Sequence, residues 1–483
     1  MQRITPERAW PLFDIAALRG FEASAAARLP PHTLMQRAGF ATARLAAAIA
    51  PHARAIWIAC GPGNNGGDGL AAAVYLKQWG RSPLVTWLGN ERKTPHDAMA
   101  ALELAREAGV EFIEHPPTQW DLGIDALLGI GGTRAPEGRV LGAADWLNRG
   151  AAPVLAIDIP TGLMADTGAG MHVRAAHTLT MIGLKPGLFT AQGRDAAGVV
   201  WLDDLGVETP SGMCAMLSGP PTVPRRLHAS HKGSFGDVAV IGGAPGMTGA
   251  ALLAATSALH SGAGRVYVCP LDDAAPRVDI AQPDLMFRAW DSLDLASMAV
   301  AAGCGGGDAV RGALPKVLST AKSLVLDADA LNAIAADPQL QSLLRARAQR
   351  AQPTVLTPHP LEAARLLETG TEDVQSRRLA CARELAQRWG CVVVLKGSGT
   401  VIAANGQIPR INPTGNARLA TAGTGDVLAG MVVARLAQAA ADPFEAACAA
   451  VRDHGSAADA WPRDRTLTAS ALASSLAGSL MGH

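Results

Sequence analysis

The stretch AIWIACGPGNNGGDGL, residues 55–70, carries the pattern that decides the fold. Its first six residues form a short apolar run, which is typical of a buried strand. A glycine-rich turn follows, and the alanine-rich residues 69–79 come next, as expected of a helix. A strand, a glycine turn and a helix in this order predict a βαβ unit of a parallel sheet.

Apolar runs of the same kind recur along the whole chain, and alanine-rich segments such as 96–108 lie between them. This alternation predicts an α/β fold with two tandem parallel-sheet domains. Residues 209–226 are dense in Pro, Gly, Ser and Thr, so we place the boundary there and predict domains 1–216 and 222–483. The predicted strands are 55–60, 83–88, 123–128, 153–158, 237–242, 265–269, 323–328, 353–357 and 391–396.

Composition excludes several classes of protein. The 483 residues are 49% hydrophobic and 17% charged, which rules out a mostly disordered chain. Lys+Arg and Asp+Glu both number 42 and aromatics are 4%, so we expect no nucleic-acid partner and no membrane surface. The seven scattered cysteines form no C-x-x-C pair, and no signal peptide or membrane span is evident. We therefore expect a cytoplasmic protein.

The glycine turn has the features of a phosphate or nucleotide site. Gly61, Gly63 and Gly66 satisfy the G-x-G-x-x-G spacing between a strand and a helix. Such glycines let backbone N–H groups approach a ligand at a helix N-terminus. The polar side chains of residues 64–68 are more than a tight turn needs, although a turn that binds nothing remains the alternative.

Carboxylates follow the same pattern at two later strands. Asp125 and Asp158 lie near the ends of predicted strands, where an open parallel sheet places its ligands. Each could instead make only a strand-end hydrogen bond. Asn65, Asp125 and Thr161 offer hard oxygen ligands, which suit an alkali or alkaline-earth cation rather than zinc.

The C-terminal stretch NPTGNARLATAGTGDVLAG, residues 412–430, predicts an anion-binding helix start. Gly423 and Gly425 leave backbone N–H groups exposed at the beginning of an apolar helix. Asp426 would repel a bound phosphate unless it serves as a base that takes a hydroxyl proton during phosphoryl transfer. A simple N-terminal helix charge is the alternative interpretation.

Two further segments carry polar residues at predicted strand ends. LKGSGTVIA places Lys396 beside two glycines, and TPHPLEAARL places His359 between two prolines. His359 could equally be a packed loop residue. No G-x-x-x-x-G-K-[ST] motif occurs, so the chain is not a P-loop enzyme.

The order of these motifs resembles the bifunctional NAD(P)H-hydrate repair enzymes. The matching segments are GPGNNGGDG, DALLGIGGTR, DIPTG and GLKPGL, then HKGSFG, GMTGA, TPHP, LKGSGTVIA, NPTGN and AGTGD. The resemblance covers nearly the whole chain. It implies a Rossmann-like, three-layer NAD(P)HX epimerase domain followed by a ribokinase-like, ADP-dependent (S)-NAD(P)HX dehydratase domain.

The resemblance also implies site residues, cofactors and partners. NADHX or NADPHX and an adenine nucleotide would be the small-molecule partners, and we expect a homo-oligomer. Potassium would bind Asn65, Asp125 and Thr161 in the first domain, and Mg²⁺ would accompany ADP in the second. Asp158 and Asp426 would be the catalytic residues. The hydrate would contact Asn64, Asn65, Gly66, Gly67, Asp68, Gly129, Ile130, Gly131, Gly132, Thr133, Arg134 and Asp158 in the first domain, and Ala250, Gly305, His359 and Asp426 in the second. The nucleotide would contact Lys396, Gly397, Ser398, Gly399, Thr400 and Gly425.

Two other functions stay open from the residues alone. The Asp426 pattern fits a true small-molecule kinase, such as a hydroxymethylpyrimidine-type kinase, equally well, because an elimination step leaves no sequence mark. The first half could be a catalytically silent nucleotide- or partner-binding module, against which its retained polar residues count. The sequence decides neither between NADHX and NADPHX nor between ADP and ATP.

Overall fold

The computed structural model describes residues 1–131, 135–209, 211–221, 228–438 and 442–476. The chain forms two compact units. Unit 1 comprises Met1–Thr5 and Trp10–Met216, and unit 2 comprises Pro6–Ala9 and Leu217–His483. Residue 210 and residues 222–226 of the predicted boundary segment lie outside the described residues. The division into functional domains 1–216 and 222–483 stays a prediction.

Unit 1 contains short strands alternating with helices from residue 55 onward. Its strands are β1 Gln2–Arg3, β2 Trp10–Leu12, β3 Ala55–Cys60, β4 Ser82–Trp87, β5 Glu111–Phe112, β6 Leu122–Ala126, β7 Val154–Ile157, β8 His177–Met181 and β9 Val199–Asp203, with β10 Ala215–Leu217 at the unit boundary. Its helices are α1 Ile15–Ala26, α2 Thr33–Ile49, α3 Asn64–Gln78, α4 His96–Glu107, α5 Gly138–Arg149 and α6 Gly193–Ala196.

The unit 1 sheet has the order β1-β9-β8-β7-β6-β3-β4-β5. All its pairs are parallel except β1 with β9. Along β3, Ile56 and Ile58 pack into one core, whereas Trp57 and Ala59 pack into a second core on the opposite face. Helices therefore cover both faces, and the predicted three-layer Rossmann-like fold is confirmed.

Unit 2 also alternates strands with helices, over a longer stretch of chain. Its strands are β11 Asp237–Gly242, β12 Arg265–Pro270, β13 Met286–Phe287, β14 Ala299–Ala302, β15 Ser323–Leu326, β16 Thr354–Leu356, β17 Val392–Leu395, β18 Val401–Ala403 and β19 Arg410–Ile411. Its helices are α7 Thr248–His260, α8 Val310–Thr320, α9 Asp329–Ala336, α10 Pro338–Gln349, α11 Pro360–Leu367, α12 Thr371–Ser376, α13 Arg378–Trp389, α14 Thr424–Ala437, α15 Pro443–Asp459 and α16 Ala469–Ser475.

The unit 2 strands follow the order β13-β12-β11-β14-β15-β16-β17-β18-β19. Pairing is parallel as far as β17, and β18 and β19 add an antiparallel edge. Helices α7, α14, α15 and α16 share an apolar core with one face of this sheet. The α/β class predicted for the second half is confirmed.

Several observed strands, among them β8 and β9, were not predicted. Three of the differences from the predicted elements have a clear physical reason. The segment 64–68, predicted as a loop, is the start of α3. The strand predicted over 153–158 ends at Ile157, because Asp158 has a left-handed φ of 65° that a strand cannot contain. The strand AVAA, β14, was not predicted, because alanine has a weak preference for strands.

Among the described residues, no helix has the length and apolar character needed to span a bilayer.

Candidate active sites

A cavity of about 860 Å³ opens in unit 1 at the carboxyl ends of β3, β6 and β7. Strand β3 has β4 on one side and β6 on the other, so the connections reverse direction there. Crevices form at such reversal points in open parallel sheets, and ligands bind in them. The polar residues that line this cavity include Glu22, Asn65, Asp68, Asp158 and Lys185.

Two glycines of the turn lie so close to neighbouring backbone that a side chain would not fit there. A Cβ at Gly61 would lie 1.8 Å from the carbonyl oxygen of Leu127. A Cβ at Gly66 would lie 2.0 Å from the carbonyl oxygen of Gly61. Helix α3 begins at Asn64 with Gly63 as its N-cap, so its first N–H groups are available at the cavity. The predicted phosphate-type turn is therefore present, with residues 64–68 inside the helix.

Asp158 occupies the centre of the polar cavity wall. Its backbone N–H donates to the carbonyl of Leu179 at 2.7 Å, which fixes the left-handed residue after β7. Its Oδ2 accepts from the backbone N–H of Ile130 at 3.1 Å. A Cβ at Gly129 would lie 3.1 Å from the same oxygen, a tight contact that glycine avoids. Hydrogen bonds to both oxygens therefore hold the carboxylate of this cavity-lining residue in place.

Lys185 is a site residue to which the sequence analysis assigned no role. It is 1% exposed, and its Nζ donates to Oδ1 of Asp158. The other two N–H bonds go to Thr180 Oγ1 at 2.7 Å and to the carbonyl of Met181 at 3.0 Å. The sequence feature that could have pointed to Lys185 is its place in the GLKPGL motif, because the chain has few lysines. Because all its donors are used, Lys185 orients Asp158 and balances its charge.

Asn65 shows the clearest sign of an absent ligand. The residue is 9% exposed, and neither its Nδ2 nor its Oδ1 has a hydrogen-bond partner among the described residues. A Cβ at Gly129 would lie 3.2 Å from this Oδ1, which places the amide at the same wall as Asp158. Buried amides are almost always satisfied, so an unpaired one at a cavity indicates a bound group.

Asp125 and Thr161 lie together directly beneath this wall. Both are 0% exposed. The Thr161 N–H donates to Asp125 Oδ2 at 2.8 Å, and its hydroxyl donates to Oδ1 at 2.7 Å. Burial raises the pKa of Asp125 to about 6 despite these bonds. A buried carboxylate whose hydrogen-bond donors among the described residues are all neutral suits an added positive charge.

Two more carboxyls line the cavity. Asp68, a predicted contact, is half-buried on α3, and burial raises its pKa well above the ordinary value, with Asp158 adding repulsion. Glu22 on α1 was not predicted, and its pKa is raised mainly by burial and then by Asp158. No motif contains Glu22, so only the packing of α1 could reveal it. Asn64, Ile130 and Gly131 also line the cavity, whereas Gly132, Thr133 and Arg134 lie outside the described residues.

In unit 2, two of the predicted nucleotide residues, Lys396 and Gly425, lie close together at the start of α14. Gly423 caps this helix with a φ of 90°, and Thr424 and Gly425 form its first turn. A Cβ at Gly425 would lie 3.4 Å from Nζ of Lys396, so the ammonium sits beside the positive end of the helix. This arrangement is compatible with anion binding at the start of α14, which stays a prediction.

Asp426 lies in the same first turn and is half-buried. Its pKa is raised to about 6, first by burial and then by the negative charge of Asp327. The nearby thiol of Cys304 partly offsets this rise in pKa. Ligand-type atoms of Cys304, Asp327 and Asp426 all lie within 4.8 Å of one another. A carboxylate with this pKa can act as a base near neutral pH.

The loop 396–400 connects β17 to the antiparallel strand β18. Gly397 and Gly399 have φ values of 134° and 61°, and Thr400 Oγ1 donates to the carbonyl of Gly397 at 3.1 Å. Arg378 donates to the carbonyls of Leu395 and Lys396, both at 3.1 Å. The backbone of this predicted nucleotide loop is therefore held from within unit 2. Arg378 was not predicted, because no motif marks it.

The predicted hydrate contacts of unit 2 have different surroundings. Gly305 has a φ of 57°, and a Cβ there would lie 2.8 Å from that of Ala250, so these two adjoin. His359 is the N-cap of α11: its Nδ1 accepts from the N–H groups of Leu361 and Glu362 at 3.1 and 3.3 Å. The capping role alone explains its position between two prolines, and contact with the hydrate stays a prediction.

Comparison with known proteins agrees with this geometry. The family described as NAD(P)H-hydrate dehydratase matches residues 238–479, and the family described as YjeF-related protein N-terminus matches residues 31–187. The bifunctional NAD(P)H-hydrate repair enzyme of Escherichia coli (strain K12) is 38% identical over 94% of this chain and 90% of its own length. That of Leishmania braziliensis is 36% identical over 93% and 89%.

Among solved structures, an ADP/ATP-dependent NAD(P)H-hydrate dehydratase from Bacillus subtilis, co-crystallised with ATP/Mg²⁺, is 33% identical. It covers 54% of this chain and 93% of its own, with a TM-score of 0.45. The two family matches and the near full-length relatives agree on one assignment. The chain belongs to the family of bifunctional NAD(P)H-hydrate repair enzymes.

Proposed function

We propose that this chain repairs hydrated nicotinamide nucleotides in two steps. Unit 1 interconverts (R)- and (S)-NAD(P)HX, and unit 2 dehydrates the (S)-epimer to NAD(P)H with ADP as the phosphoryl donor. The observation that carries the proposal is the position of Asp426, whose raised pKa suits a base, beside Lys396 at the start of α14. The membership of the family selects the hydrate as the substrate.

In the dehydratase step, Asp426 takes the proton of the C6 hydroxyl. The oxygen then bonds to the terminal phosphoryl group of ADP, and AMP departs. The C6–O bond breaks next with help from the ring nitrogen, releasing phosphate, and loss of a C5 proton restores the dihydronicotinamide. Lys396 and the α14 N–H groups stabilise the charge on the transferring group.

A Mg²⁺ ion that accompanies a nucleotide takes most of its ligands from phosphate and water, so it needs few protein donors. The carboxylates of Asp327 and Asp426 have oxygens within 4.8 Å of each other, and this negative charge favours a cation nearby. When bound, the ion neutralises phosphate charge. The residues present fit such a nucleotide-borne cation.

In the epimerase step, the acid/base group protonates the C6 hydroxyl, which leaves as water while the electron pair of the ring nitrogen forms a C=N bond to C6. Water then adds to the other face of C6 and returns the proton to that group. Asp158 is the acid/base group in this proposal, since it lines the cavity and Lys185 holds its Oδ1. The unpaired amide of Asn65 and the buried pair of Asp125 and Thr161 are proposed to hold K⁺. The ion would supply a fixed positive charge against the substrate.

The test supplies the pure (S)-epimer of NADPHX together with ADP and Mg²⁺. NADPH should form together with stoichiometric AMP and phosphate, and Asp426→Asn should abolish all three. Consumption of ADP with a hydroxymethylpyrimidine, but not with the hydrate, would overturn the proposal in favour of a small-molecule kinase.

A further inference from the structure

Asp327 is a buried acid of unit 2 that none of the motifs contains. It follows β15 directly and is 2% exposed. Its Oδ1 accepts from Nζ of Lys396 at 2.6 Å. Its backbone N–H donates to the carbonyl of Ala302 at 3.1 Å, and its carbonyl accepts from the N–H of Ala330 at 3.1 Å. The backbone that carries this carboxylate is therefore fixed on both sides.

Lys396 is held at two points by different groups. Arg378 fixes its main-chain carbonyl at 3.1 Å, and Asp327 fixes the far end of its side chain. A lysine side chain has several rotatable bonds, so the backbone contact alone leaves the position of Nζ open. The contact with Asp327 is what places Nζ beside Gly425.

We propose that Asp327 is a positioning residue of the dehydratase: it holds the Lys396 ammonium at the start of α14, where the transferring phosphoryl group binds. This role rests on the proposed function. It gives the two neighbouring carboxylates, Asp327 and Asp426, different roles. Asp327 is almost fully buried and bonded to Lys396, whereas Asp426 is more exposed and lies in the first helical turn. Asp426 is therefore free for the substrate hydroxyl.

The first experiment compares kcat and KM of Asp327→Asn with the full-length wild type, using (S)-NADPHX and ADP. Misplacing a charged group by about 1 Å costs roughly a hundredfold in rate, so we expect kcat to fall by about that factor. The KM for the hydrate should stay nearly constant. Asp308→Asn, at a fully exposed acid of the same unit, is the matched control and should keep the wild-type kcat.

A double-mutant cycle separates positioning from general structural damage. In a Lys396→Met background, Asp327→Asn should cost little further activity, because the group it acts through is gone. Losses that multiply would overturn the proposal, as would a wild-type kcat in Asp327→Asn.

A rescue experiment keeps the proposal testable if Asp327→Asn folds poorly. Methylammonium should restore part of the activity of Lys396→Ala, and the rescue should disappear in Lys396→Ala with Asp327→Ser. Equal rescue in both would overturn the role of Asp327. A wild-type chain that lacks dehydratase activity altogether would instead overturn the proposed function.

Discussion

Asp426 shows how a single residue gains a chemical role from its neighbours. An exposed aspartate is fully ionised at neutral pH, but burial and Asp327 raise the pKa of this one to about 6. As a base it works only when ionised, so kcat/KM of the dehydratase should fall tenfold per pH unit below about 6 and level off above it. A pH profile of NADPH formation measures this. A profile without an acid limb near that pH would contradict the assignment.

Asp158 is expected to serve the epimerase alone. Replacing it with asparagine removes the ionisable group while keeping its shape, so epimerisation should slow by about 10²–10⁴-fold. Dehydration of pure (S)-NADPHX should keep its rate, because Asp158 belongs to unit 1. Exchange between the two epimers, followed by chromatography, measures the loss. Asp145→Asn, at an exposed acid on α5, is the control.

If K⁺ binds at Asp125, it should change the stability of unit 1 in a pH-dependent way. Folding raises the pKa of Asp125 from the ordinary 3.8 to about 6, so the folded protein binds this proton more tightly than the unfolded chain does. The free energy of unfolding therefore falls as the pH rises from about 4 to about 6. A bound cation offsets that loss only where the carboxylate is ionised. At about 100 times its dissociation constant, K⁺ should stabilise unit 1 by about 2.7 kcal/mol at high pH.

Thermal unfolding with K⁺ and with a large organic cation checks this at about pH 7.5 and about pH 5. The K⁺ effect should be large only at the higher pH and absent in Asp125→Asn. An equal shift of Tm at both pH values, or in the variant, would speak against the site.

At the level of elements, the turn between β3 and α3 depends on individual glycines to different degrees. A Cβ at Gly66 would meet the carbonyl of Gly61 at 2.0 Å, whereas a Cβ at Gly63 meets nothing within 4 Å. Gly66→Ala should therefore destabilise the protein by about 1–3 kcal/mol and impair the epimerase. Gly63→Ala should change stability by less than about 0.5 kcal/mol. Chemical denaturation of both variants measures the difference, and equal stability would contradict this account of the turn.

The elements themselves could be predicted where apolar runs were long and bounded by glycine. Strand β3 was predicted at its observed bounds and strand β17 at nearly its observed bounds, and the start of helix α14 was predicted correctly. Strand β14 could not be predicted, because its four residues are mostly alanine and gain strand geometry only from their neighbours β11 and β15. The early start of α3 was missed since glycines 66 and 67 suggest a loop, and only their packing requires them in a helix.

For the molecule as a whole, the motifs predicted which residues converge but not what holds them there. Lys396 and Gly425 are far apart in sequence and adjacent in unit 2, as predicted. Asp327 and Glu22 lie in none of the motifs, and Lys185 lies in GLKPGL, but the role of each depends on a contact that only the folded chain creates. Motifs mark groups that meet ligands, whereas supporting groups are marked by burial and partners.

The central claim is that one chain carries two complementary activities. It is tested most directly by incubating the full-length protein with a mixture of (R)- and (S)-NADPHX, ADP, Mg²⁺ and K⁺, and following NADPH to the end of the reaction. The account predicts complete conversion, because the epimerase keeps supplying the (S)-epimer. Conversion that stops at about the initial (S) fraction would contradict the epimerase assignment. No NADPH at all would contradict the account as a whole.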